Sequence, residues 1–363
     1  VGLGAIVAIG SRKQRVAGNG AGSSATGSNV TGSAAVDLPS WLGGPLECTE
    51  VLGRSLAERT VERFAAIDAD CISVLMEAGT YLPPFRAAHE KLTIRVVSDL
   101  HAAITQNVQE FALSGIDHSF INWADAYAET DLLDLFCFHR ESRQTATPSF
   151  DKDGELALWV VNCEKAQDLP LETLLDQAGR ASRYFIREYV SRLNHPRDLR
   201  QIAADMLRGG CQARPSGRQV RPGVWCDQGA EVHRRARIVA PAYVGCGSKV
   251  RADALITRLS NVERDCCVDS GTVVEDSSIL ANTSLGICLD LCHAVVSGNK
   301  LFNLERDVTI EVADPEVIRS TAATQKPFAN VIERSEEREK APDSRTLHQI
   351  PESWQFDGNL IQE

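Results

Sequence analysis

An apolar run from Ala5 to Ile9 is followed at once by Gly10, Ser11, Arg12, Lys13 and Arg15. A basic turn at the end of a buried strand is suited to holding phosphate. Residues 17–35 are almost wholly Gly, Ser, Ala, Thr and Asn, a composition that favours a mobile loop. Gly18, Gly20 and Gly22 therefore read either as a phosphate cradle or as part of a plain flexible loop, since low complexity produces such spacing freely. The second candidate is Asp125, just beyond the apolar stretch His118 to Trp123. α/β folds put ligands at the ends of central strands, and the competing reading is an acid that caps or solvates the strand end. Asp151, Asp153 and Asp168 are candidates by residue type alone and are expected as loop acids. His139, beside Arg140 and Arg143 at a helix end, suits the helix dipole. Arg183, Arg187, Arg192 and Arg197 either approach phosphate or form solvated helix faces.

The elements around these residues alternate. Leu56, Val61, Phe64 and Ile67 stand at helical spacing behind Ser55, a natural N-cap, and a strand follows over Cys71 to Met76. Ile104, Val108 and Phe111 mark a second helix ending near Gly115, before the strand His118 to Trp123. A helix near Asp131 to Arg140 and strands near Thr145 and over Glu155 to Val161 continue the series. This order predicts a mostly parallel sheet with helices on both faces. Tyr184 to Leu207 reads as linking helices.

Further along, a stride of six takes over. Val232, Ile238, Val244, Val250, Ile256, Val262, Val268, Val274 and Leu280 are aliphatic without a miss. Two residues before each stands a small side chain: Ala230, Ala236, Ala242, Ser248, Ala254, Ser260, Cys266, Thr272 and Ser278. If aliphatics fill roughly a quarter of positions, the run has a chance probability on the order of one in a hundred thousand. Such a period predicts a triangular coil of about eighteen residues per turn, with each aliphatic pointing inward and each small residue turning a corner. Cys226 extends the register backward. It falters at Gly286, after which Ala294, Val296, Phe302, Val308 and Ile310 suggest strands in a shifted phase.

The chain has 363 residues, enough for two domains, and a formal charge of -11, which leaves no broad basic field for nucleic acid. No apolar stretch approaches the length of a membrane span. Eleven cysteines run from Cys48 to Cys292 without a CxxC pair and are expected mostly as reduced core residues. The start at Val1 lacks the basic flank of a signal peptide, so a cytoplasmic, trimmed chain is expected, with the sequons at Asn29 and Asn282 arising by chance.

The hexapeptide repeat resembles the left-handed β-helix of hexapeptide transferases and of sugar-nucleotide pyrophosphorylases. In front of it, Pro45-Leu46, Leu52-Gly53-Arg54-Ser55-Leu56 and Phe120-Ile121-Asn122-Trp123-Ala124-Asp125 resemble the nucleotidyltransferase domain of sugar-1-phosphate nucleotidyltransferases. Together the two matches cover most of residues 1 to about 312. The resemblance implies a Rossmann-like α/β domain with a mostly parallel sheet, followed by a left-handed parallel β-helix. It implies a reaction in which a sugar 1-phosphate attacks the α-phosphate of a nucleoside triphosphate and pyrophosphate leaves. That chemistry calls for Mg²⁺, cations and backbone amides. On this reading Asp125 is catalytic and holds the metal, Arg12 and Lys13 are the catalytic cations, and Gly10, Ser11 and Arg15 cradle the nucleotide. Three departures stand out: Ala124 replaces a glycine, no lysine lies between Lys13 and Lys91, and the cation expected near Pro45 is missing.

Two other functions stay open. A hexapeptide acyltransferase would use a histidine as general base; His233 and His293 are available, each one residue past the inward register and so expected to face outward. A non-catalytic scaffold or regulator would keep the shape alone. The expected organisation is an α/β domain over 1–180, a helical linker over 181–223, the β-helix over 224–312 and a tail over 313–363. Coil edges and flat faces favour a homo-oligomer assembled through the β-helix. Trp354 and Phe356 in the polar tail are a possible docking point.

Overall fold

The structure is a computed structural model, and it describes residues 2–10, 38–80, 85, 91–123, 125–178 and 182–321. Seven strands make the front sheet: β1 (Leu3–Ile9), β2 (Cys71–Glu77), β3 (Leu92–Val97), β4 (His118–Trp123), β5 (Ala146–Asp151), β6 (Gly154–Asn162) and β7 (Tyr184–Phe185). Their order across the sheet is β7-β5-β6-β4-β1-β2-β3. Four of the six pairings are parallel; β6 runs antiparallel to both β4 and β5. The sheet is therefore parallel-rich within a mixed α/β arrangement, and β3 and β7 join the strands that the sequence pattern indicated.

All seven residues of β1 are buried, as a central strand covered on both faces requires. Ala5, Val7 and Ile9 point to one side, against α1 (Leu56–Ala66), which supplies Val61 and Phe64, and α3 (Leu132–Ser142), which supplies Leu132 and Leu135. Ile6 and Ala8 point to the other, against α2 (Leu100–Leu113) and α4 (Leu171–Ala178). Helices thus cover both faces. Truncating a side chain such as Phe64, 1% exposed, to Ala should cost about 3–5 kcal/mol. The Ser55 side chain caps α1 by accepting from the Glu58 amide, satisfying a donor the first turn leaves open.

Residues 182–223 hold one helix and not the several expected. Tyr184–Phe185 joins the front sheet, Val190–Ser191 pairs with Tyr127–Ala128, and one helix, α5 (Pro196–Arg208), follows. His195 is its N-cap, in a reciprocal capping box with Asp198. Proline at the first helical position explains why the helix starts there and not earlier.

Beyond Val224 short strands stack in three parallel columns. Cys226, Val244, Val262, Ile279 and Val296 share one register; Val232, Val250, Val268 and Leu285 share the second; Ile238, Ile256, Val274 and Leu291 share the third. This is consistent with a parallel β-helix. The spacing is eighteen residues up to Val262 and Val274, then seventeen. Leu280 is accordingly not the ninth inward residue; Ile279 is. One residue is missing from the corner between Val274 and Ile279, and because alternate side chains face opposite ways, that deletion turns Leu280 outward. There it packs with Leu56, Val295 and Phe302 in a cluster shared with the start of α1 and with α5. The same slip makes Ser277, not Ser278, the small corner residue.

The small residues do more than save space. Ser248, Ser260, Thr272 and Ser277 each accept, through the side-chain oxygen, a backbone N–H from the next coil, at Cys266, Ser277, Leu289 and Ala294 respectively. Val232 is in register but 39% exposed, against 1% for Val250, because no coil of the described residues lies beneath it. Phe302, Val308 and Ile310 belong to antiparallel strands, Lys300–Asn303 and Val308–Glu311, not to further coils. The cysteines are also less buried than expected: Cys163, Cys211 and Cys266 are in the core, and Cys137, Cys288 and Cys292 are exposed.

Candidate functional site

In the front sheet β1 leads to β2 and β3 on one side, and the chain then returns to β4 on the other. Ala8 of β1 lies opposite Trp123 of β4, so the order reverses between these two strands. A crevice forms at the carboxyl ends of strands at such a reversal, which is where α/β sheets bind ligands. Gly10 follows β1 and Asp125 follows β4 at that edge. Glu77, the last residue of β2, packs against Gly10, whose φ is +138°; a Cβ there would stand 2.6 Å from Glu77 Oε2 and 2.9 Å from Leu100 Cδ1. Only glycine suits that position.

Glu47 completes the edge from the short helical turn Leu46–Cys48. The Gly10 N–H points to Glu47 Oε1 at 3.5 Å. Burial pushes the Glu47 carboxyl up to about 7, and the charges of Asp125 and Glu77 add to this, against the lowering effect of its backbone hydrogen bonds. A proton is thus retained near neutrality where three acids converge. Sequence reasoning missed Glu47; the available signal was its place directly after Pro45-Leu46, where the resemblance expects a cation.

Asp151 does not join Asp125. It forms a two-point pair with Arg192, at 2.9 and 2.6 Å, and Arg192 also donates to the carbonyls of Gly154 and Glu155. The guanidinium holds the Asp151 carboxyl below its usual range, and Asp125 contributes to stabilising the Arg192 charge. Arg192 lies off any helix, its guanidinium engaged by Asp151. Asp153 donates its amide to Asp151, and Asp168 sits exposed in the turn before α4. Beneath Asp125, a small cavity is flanked by Arg59 and Arg63 of α1. Arg59 donates to the Val51 carbonyl at 2.6 Å, and Arg63 donates to the carbonyls of Ala128 and Thr130. Arg59 is buried and Arg63 half-buried, and both tie loops to α1.

The remaining candidates disperse. Ser11, Arg12, Lys13 and Arg15 lie outside the described residues, as do Gly18, Gly20, Gly22 and Ala124. His233 is exposed at a coil corner, where its Nδ1 accepts from the Arg235 amide. His293 meets Asp276 at 2.6 Å and Glu305 at 3.6 Å, and Asp276 also pairs with the buried Arg200 of α5. His139 is 1% exposed and bonded to Thr147. Burial, with a smaller contribution from His118, pushes it down to about 4, so the imidazole is neutral and the helix dipole does not explain its place.

Mg²⁺ prefers carboxylate, water and phosphate oxygens and is commonly held by one or two carboxylates together with substrate phosphates. Asp125, beside Glu47 and Glu77, supplies that hard-oxygen chemistry. Among the described residues no group of three or more His, Cys, Asp or Glu is arranged to hold a metal. Among the described residues no helix is long and apolar enough to cross a membrane. Comparison with known protein families and with curated proteins finds no match.

Proposed function

We propose that this chain is a sugar-nucleotide pyrophosphorylase-like protein, with a Rossmann-like nucleotidyltransferase domain that binds a nucleotide or sugar phosphate and a left-handed β-helix that mediates assembly. The observation that carries the reading is the placement of Gly10 and Asp125 at the ends of adjacent parallel strands where the strand order reverses. Asp125 would hold Mg²⁺, which when bound neutralises charge on the phosphates. Gly10 lets the backbone approach closely. Arg12, Lys13, Ser11 and Arg15 are assigned to phosphate from the sequence alone.

Incubation with nucleoside triphosphates, sugar 1-phosphates and Mg²⁺ tests transfer, read as pyrophosphate release. The Asp125→Asn variant should lose any such activity. No pyrophosphate from any pair, together with no nucleotide binding by calorimetry, would overturn the reading. A second reading, a homologue that binds without turnover, is favoured by one observation: a buried carboxylate, Glu47, stands beside Gly10 where a cation would serve transfer. Binding without pyrophosphate release selects it. Self-association through the β-helix is read by light scattering, and a monomer at all concentrations would remove it.

A further inference from the structure

The first of the three columns is an eight-stranded sheet, and its two outermost strands are Arg218–Arg221 and Val308–Glu311. All eight residues of these strands are exposed. Both edges carry large apolar side chains in water: Val220 is 50% exposed, Val308 44% and Ile310 49%. The charges are opposite. One edge reads Arg-Gln-Val-Arg, and the other Val-Thr-Ile-Glu.

Their directions are also opposite. Arg218–Arg221 runs antiparallel to Val224–Cys226, the first of the parallel coil strands. Lys300–Asn303 reverses the last coil strand, Ala294–Ser297, and Val308–Glu311 reverses again, so it runs with the coil strands. A second copy placed head to tail along the sheet therefore meets the acidic edge of the first in the antiparallel sense. Among the described residues no strand lies beyond either edge, and the outward N–H and C=O groups of both would then find partners.

We propose that a second copy of this chain docks here, the strand Arg218–Arg221 of one pairing with Val308–Glu311 of the next. Full overlap of the two four-residue strands sets Glu311 opposite Arg218, an opposite-charge cross-strand pair. Pairing of the basic edge with itself would set Arg218 against Arg221. A bulge between Gln219 and Arg221 limits the number of backbone bonds, so the contact is weak and sensitive to salt. Two different surfaces meet, which makes the association heterologous: it continues until a ring closes or extends as a filament. This names a surface for the self-association proposed above and needs nothing of the nucleotide reading.

The test is sedimentation of the full chain and of two variants. Arg218→Glu spoils the basic edge and leaves the acidic one; Ile310→Lys does the reverse. Both sites are exposed, and unchanged circular dichroism confirms folding. Wild type should form species larger than dimers that shrink as salt rises. Each variant alone should be monomeric, and a one-to-one mixture should give dimers and nothing larger, because only one good edge remains on each partner. Wild type that is monomeric throughout would overturn the proposal together with self-association. A variant that still associates alone would overturn this pairing while leaving self-association in place.

Discussion

Glu263, on a coil of the repeat, accepts the backbone N–H groups of Leu52 at 2.8 Å and Gly53 at 2.9 Å, more than two hundred residues earlier in the chain. Its side chain is fully buried, and Asn261 donates a third bond at 2.7 Å. Leu52 and Gly53 both have positive φ, at 51° and 82°. They form the turn from which Ser55 caps α1. The repeat thus holds in place the loop that starts the helix beneath Asp125.

Burial pushes the Glu263 carboxyl up to about 7, with the nearby Glu50 adding to the shift and the three hydrogen bonds opposing it. An acid whose folded pKa is raised is protonated longer in the native state than in the unfolded one. Its contribution to stability is full below about 4.5 and is lost as pH rises through about 7. Urea titrations should show wild type losing stability on the order of 3 kcal/mol over that window. Glu263→Gln should flatten the slope, and an unchanged slope would contradict the assignment.

A Cβ at Gly53 would collide with Ser216 Oγ and Tyr243 Oη, which are bonded to each other and to Asp227. Alanine there is penalised both by positive φ and by a packed polar cluster. Gly53→Ala should destabilise by about 3 kcal/mol or more, in the range of strained or overpacked buried sites. Thermal melting checks this, and Gly79→Ala, with open space around it, is the control, expected to cost about 1 kcal/mol for its positive φ.

Two valines in one register should respond differently. Val250→Ala removes a methyl pair from between coils and should cost about 2–3 kcal/mol. Val232→Ala, at the uncovered end of the same column, should cost less than about 1 kcal/mol. Equal losses would mean that the first coil is covered in solution.

On the proposed reading, in which the chain binds a nucleotide, Glu47 sets a pH dependence for that binding. Its carboxyl is neutral below about 7 and charged above, so Mg²⁺-free nucleotide affinity should fall as pH rises through that value, by about tenfold for one added charge in a partly buried site. Glu47→Gln should remove the step. Calorimetry at pH 6 and pH 8 reads the difference.

The inward stride of the coils was legible in the chain alone because it is a local period: each aliphatic is buried by neighbours at fixed spacing, so the pattern repeats residue by residue. The strands and helices around Ala5–Ile9, Leu56–Phe64 and His118–Trp123 were legible for the same reason, as was Asp125 at a strand end. What depended on distant parts of the chain was not. The shortened corner that replaces Leu280 by Ile279 shows only when coils are stacked, since Leu280 is equally apolar and finds its own cover against Leu56 and Phe302. Glu47 reads as an ordinary loop acid until β1, β2 and β4 bring Gly10, Glu77 and Asp125 around it. Glu263 reads as one more outward polar residue until Leu52 and Gly53 point their amides at it. Burial and charge are properties of what surrounds a group, and for these residues the surroundings come from segments far away in sequence.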